Sequence, residues 1–121
     1  MSNGQPVVYF EVLGKDHRAL TAFYSDLFGW TANRIGDSPY SLIDTGAEGS
    51  IPGGVGEAAD GTEHVTFYVE VEDLDAALRK AESLGGRQTL EPTDFPGGRF
   101  AQFADPEGHI IGLWKGVPPS D

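Results

Sequence analysis

The chain has 121 residues and no cysteine, which suits one domain with its own core and excludes disulfides and thiolate metal sites. Its 19 Asp and Glu against 8 Lys and Arg give a formal charge of -11. That balance disfavours nucleic acid and anionic membranes, and it draws small cations inward. In chain order, Val8–Val12 alternates as a strand. Asp16 is placed to cap a helix whose apolar stripe is Leu20, Phe23, Tyr24, Leu27 and Phe28, ended by Gly29. Short extended pieces follow at Trp30–Ile35, Tyr40–Asp44 and Ser50–Val55. The last lies in a stretch, Gly46–Gly61, with six glycines, so it is expected to be mostly turn and linker.

The second half repeats the order. A strand is expected over Val65–Val71, then a helix capped by Asp73 with the stripe Leu74, Ala77, Leu78, Ala81 and Leu84, stopped by Gly85-Gly86. Extended pieces at Arg87–Leu90, Phe100–Phe103 and Ile110–Trp114 come next, with turns at Pro96-Gly97-Gly98 and Asp105-Pro106-Glu107-Gly108. Laid over the first half at an offset of 57, Val8, Phe10, Val12, Asp16, Ala19, Leu27 and Gly29 meet identical residues. Those identities fall on one strand face, a helix cap, helix-face sites and a helix stop, so the two halves read as copies of one unit. Each reads βαβββ, with the first module at about 6–58 and the second at about 62–116 of a single domain spanning 1–121.

Strand alternation assigns the faces. Val8, Phe10 and Val12, with Val65, Phe67, Val69 and Val71, form apolar faces expected to lie under the helices. The opposite faces carry Tyr9, Glu11 and Leu13, and His64, Thr66, Tyr68 and Glu70. Polar and aromatic groups of that kind suit the orienting of a small organic ligand. Tyr9, Glu11 and His64 together supply a donor and two bases, a set capable of acid–base chemistry near neutral pH. Aromatics near this surface include Trp30, Tyr40, Tyr68, Phe95, Phe100 and Trp114. Arg99, after a flexible turn, is a candidate anion clamp. His17, in the first turn of a helix, and His109, after a turn, read as ordinary surface residues. No apolar run is long enough to span a membrane, and Met1–Pro6 lacks the order of a signal peptide, so a cytoplasmic location is expected.

Three runs make the chain resemble the vicinal oxygen chelate superfamily of glyoxalases, bleomycin-resistance proteins and extradiol dioxygenases. They are Phe10-Glu11-Val12 through Ala22-Phe23-Tyr24 to Leu27-Phe28-Gly29-Trp30; Val71 to Ala77 through Leu84-Gly85-Gly86; and Phe103 to Gly108 leading to Gly112-Leu113-Trp114. The resemblance implies an α+β fold in which two βαβββ modules form a curved mixed sheet around a cleft, and it implies a homodimer. In metal-dependent members it places ligands on the first and last strands of each module. Those positions fall here on Tyr9, Thr66, Gly112 and the stretch around Gly53–Val55, none of which offers a strong ligand. No metal or other cofactor is therefore expected unless Glu11 and His64, each two residues away, are brought in by a bulge.

The expected function is binding of a small organic molecule, with a cationic one favoured, as in antibiotic or metabolite sequestration. The expected catalytic set is Tyr9, Glu11 and His64. The expected ligand contacts are Thr66, Tyr68, Tyr40, Arg99, Gly112 and Trp114. The alternative is a glyoxalase-like lyase or isomerase, metal-free or with displaced ligands.

Overall fold

A computed structural model describes residues 4–58 and 63–116. They fall into two compact units, residues 8–66 and residues 67–116 with 4–7. The first unit holds β1 (Val7–Gly14) apart from Val7, then α1 (His17–Phe28), β2 (Thr31–Arg34), β3 (Tyr40–Asp44) and β4 (Gly53–Glu57). The division falls inside β5 (His64–Glu70), which leads to α2 (Leu74–Ser83), β6 (Arg87–Phe95), β7 (Gly98–Ala104) and β8 (Ile110–Gly116). The architecture is the α+β arrangement of two βαβββ modules with mixed strand pairing. Among the described residues no helix is long and apolar enough to cross a membrane.

The duplication is visible in the pairing. β1 runs parallel to β4, with Glu11 opposite Gly54, while β3 lies antiparallel to both β4 and β2. In the second unit β5 runs parallel to β8, with Tyr68 opposite Gly112, while β7 lies antiparallel to both β8 and β6. Glu11 and Tyr68 therefore hold equivalent stations, as do Tyr40, which faces Gly56, and Phe100, which faces Trp114. The Ala19 amide donates to Asp16 Oδ1 (3.1 Å) and the Ala76 amide to Asp73 Oδ1 (3.0 Å), which starts both helices as expected. α1 stops at Gly29, in the left-handed region at φ 73°, whose amide bonds Ser25 O. In α2 the cap is Leu84 and the left-handed residue is Gly85, φ 103°, so the repeat slips by one residue there.

One expectation is sharpened and one corrected. The glycine-rich stretch is turn and loop up to residue 52, as expected, and the faint strand inside it is Gly53–Glu57, paired on both sides, with Gly53–Gly56 buried. Glycine is tolerated because neighbouring rings fill the missing side-chain volume, as Phe10 does over Gly53. The apolar strand faces are also only partly covered. Val71 is buried with Leu74, Leu78, Ala101 and Leu113, and Val69 packs against them. Val65, however, is 75% exposed and Phe67 41%, while Thr66 and Tyr68 on the opposite face are buried.

Candidate ligand-binding site

Four of the predicted residues meet in the first unit. Glu11 is buried on β1 directly across from Gly54 of β4. A side chain at Gly54 would collide with the hydroxyls of Tyr40 and Tyr9, so glycine there is what lets the two phenols approach. The Tyr40 hydroxyl donates to Glu11 Oε2 at 2.8 Å and lies 2.7 Å from the Tyr9 hydroxyl. His64, at the entry to β5, brings Nε2 to 3.4 Å from Glu11 Oε1. Its Nδ1 is buried with no hydrogen-bond partner among the described residues. Leaving such an atom unmatched costs about 1–3 kcal/mol.

The phenols are held neutral. Burial, the main cause, raises Tyr9 to about 12; the Glu11 charge adds to it and the contact with Tyr40 offsets part. Tyr40 is raised further, by burial first and then by the adjacent Glu11 charge. The cluster thus combines one buried carboxylate, two un-ionised hydroxyls and one imidazole. It can accept hydrogen bonds from a ligand and orient it, and the Glu11–His64 pair has the composition of an oriented base.

The equivalent station of the second unit is aromatic instead. A side chain at Gly112 would strike the Tyr68 ring, so Gly112 seats that ring. Tyr68 packs edge-on to Phe100 at 6.1 Å and accepts a hydrogen bond from Gln102 Nε2 at 2.9 Å. Phe95 stands edge-on to both Phe100 and Trp114. Thr66 is buried on β5. Arg99 is committed across its hairpin, donating from Nε to Asp94 Oδ1 at 2.9 Å and from a terminal nitrogen to Pro92 O. That engagement leaves it unlike the flexible clamp proposed from its turn. A cavity of about 670 Å³ in the second unit, bordered by Glu70, Asp73, Ala77, Lys80 and Lys115, contains none of the predicted site residues.

His17 departs from the sequence reading. It is buried, its Nε2 lies 2.8 Å from Ser41 Oγ, and its amide donates to Glu57 Oε2 at 3.2 Å. The available signal was Ser41 on the inward alternation of β3, two residues before Ile43. His109 is exposed, as expected, and pairs with Asp105. The Asp105 carboxyl is held below its usual range, first by the His109 amide and also by its side chain and the Glu107 amide.

A divalent metal does not fit these residues. Of the positions the resemblance implies, Gly54 and Gly112 are filled by tyrosines, and Tyr9 Oη is bonded within the phenol pair. Glu11 and His64 supply two ligands, and no third His, Cys, Asp or Glu joins them among the described residues.

Comparison with known proteins follows the same lines. Residues 7–113 match the family model described as Glyoxalase/Bleomycin resistance protein/Dioxygenase superfamily. Anthracycline biosynthesis protein DnrV of Streptomyces peucetius is 34% identical over 128 residues, covering 90% of this chain and 46% of that protein. The chain thus spans about half the length of the curated relatives it matches there. Among solved structures, methylmalonyl-CoA epimerase from Mycobacterium tuberculosis superposes with a TM-score of 0.67 at 20% identity, covering 98% of this chain and 94% of that one. A Mn(II)-bound glyoxalase from Novosphingobium aromaticivorans also gives 0.67 at 20% identity, covering all of this chain (100%) and 43% of that one. At such identities the structures show a shared fold.

Proposed function

The chain belongs to the glyoxalase/bleomycin resistance protein/dioxygenase superfamily, and on that premise we propose that it binds a small organic molecule through Tyr9, Tyr40, Glu11 and His64 without a metal. The observation that carries this reading is the buried Glu11 carboxylate, bonded to a Tyr40 hydroxyl that occupies the space a side chain at Gly54 would fill. Buried polar groups are expensive unless matched, and such groups mark binding sites when they converge. The similarity to proteins named for anthracycline biosynthesis makes a polycyclic aromatic natural product the ligand of choice, held for synthesis or sequestration.

Fluorescence titration with daunorubicin tests this. Saturable binding is expected, weakened at least about tenfold by Tyr40→Phe or Glu11→Gln. Titrations that are flat, or unmoved by both variants, would refute the assignment. Two copies associate in this proposal, supported by Phe23, Leu27 and Phe28 of α1, each more than half exposed. Native mass spectra showing only monomer at micromolar concentration would contradict that assembly.

One observation favours a second reading, acid–base catalysis. His64 Nδ1 is an unmatched buried nitrogen on an imidazole oriented by Glu11. In that case His64→Ala abolishes turnover of a bound substrate while leaving its binding measurable. Turnover that survives His64→Ala unchanged would remove this alternative.

A further inference from the structure

We propose that the outer face of α1 docks antiparallel on the same face of a second copy, with Arg18 of each chain beside Asp26 of the other. The inference rests on the association of copies proposed above and not on the ligand assignment. It follows from how α1 differs from α2, its duplicate at the offset of 57 residues. Helix α2 buries Leu74 and Leu78, and it carries Asp75 in its first turn and Lys80 in its last. Those charges suit the helix dipole, which is positive at the N-terminus. Two neighbouring rows of α2, at four-residue steps, read Asp75, Arg79, Ser83 and Ala76, Lys80, Leu84. The equivalent rows of α1 read Arg18, Ala22, Asp26 and Ala19, Phe23, Leu27, and all six are exposed.

Two features set α1 apart. Phe23, 57% exposed, stands where α2 has Lys80, and Ala22 stands where it has Arg79. The exposure of Leu27 is shared with Leu84 and distinguishes nothing. The charges are also reversed. Arg18 stands in the first turn where α2 has Asp75, and Asp26 stands in the last, so both oppose the dipole of their own helix. Neither forms an ion pair among the described residues. An antiparallel second copy answers both features. Arg18 and Asp26 lie on one row, about 12 Å apart along the axis, with Ala22 midway. A twofold axis at Ala22 sets each Arg18 beside Asp26 and the C-terminal turn of the other helix, where a cation is favoured. Phe23 and Leu27 gain cover along the neighbouring row, and Ala19 and Ala22 leave room for close ridge-in-groove approach. A face that matches itself in this way is what a twofold interface requires.

Sedimentation equilibrium tests this on the wild-type chain, Arg18→Asp, Asp26→Arg, the double reversal carrying both, and Phe23→Lys. The wild type is expected to dimerise. Each single reversal sets like charges together across the interface and should weaken the dimer at least about tenfold. The double reversal exchanges the two partners and should restore it. Phe23→Lys, which gives α1 the side chain of its duplicate, should weaken the dimer by a similar factor. All these positions are exposed, so the native circular dichroism is expected to persist in every variant. A dimer that all four variants leave unchanged would keep the association and overturn this interface. Single reversals without effect, or losses that the double reversal leaves unrestored, would overturn the antiparallel pairing. Monomer throughout would remove the association and the inference together.

Discussion

At the residue scale, the site turns on one hydroxyl. The Tyr40 hydroxyl contacts both Tyr9 and Glu11, so removing its oxygen breaks two contacts of the cluster. Tyr40→Phe leaves the Glu11 carboxylate short of a charge-assisted hydrogen bond and should cost about 1.5–3 kcal/mol of stability. Urea unfolding measures this, and a change within error would mean that the 2.8 Å bond carries no net stabilisation. The residue types were legible in the sequence, because alternation places Tyr9 and Glu11 on one face of β1. The bond to Tyr40 was not, since it depends on β3 returning beside β4 and on the hydroxyl crossing above Gly54. His17 was misread for a related reason: position in a first helical turn says nothing about which strand the turn is pressed against.

At the element scale, β4 explains both a failure of sequence reading and a structural dependence. Four buried residues, three of them glycine, give no hydrophobic alternation, so periodicity finds only a faint strand. Those glycines have a packing cause: Phe10, Tyr40 and Tyr9 occupy the space that side chains at 53 and 54 would need. Gly54→Ala should therefore overpack the phenol pair and destabilise the protein by about 1–3 kcal/mol, read as a lower urea midpoint. The same substitution in a Tyr40→Phe background should cost less, because one colliding oxygen is gone. Equal losses in the two backgrounds would show that Gly54 does not seat the hydroxyl. The helix ends, by contrast, were legible. Asp16 and Asp73 cap them, and only the glycine stop of α2 lies one residue from its repeat position.

At the scale of the whole molecule, the duplication fixes the scaffold and leaves function to the stations where the copies differ. Glu11 with Tyr40 and Tyr68 with Phe100 occupy equivalent places, one pair hydrogen-bonded and the other aromatic. The polar pair has a consequence for alkaline stability. Folding raises both phenols above their ordinary value near 10, Tyr9 to about 12 and Tyr40 further. Below pH 10 folded and unfolded chains hold the same protons, so the contribution is fully present. Above it the unfolded chain releases protons that the folded chain keeps, so stability falls with rising pH. Urea midpoints should therefore decline from pH 10 upward, less steeply in a Tyr9→Phe, Tyr40→Phe double variant. Identical slopes would show that neither phenol is held neutral by the fold.

The most direct test of the central claim is a crystal structure of the protein with daunorubicin bound. A polar group of the ligand within about 3 Å of Glu11, Tyr9 Oη or His64 Nδ1 is the predicted result. A ligand seated away from all three, with the Tyr9–Tyr40–Glu11 bonds undisturbed, would contradict it.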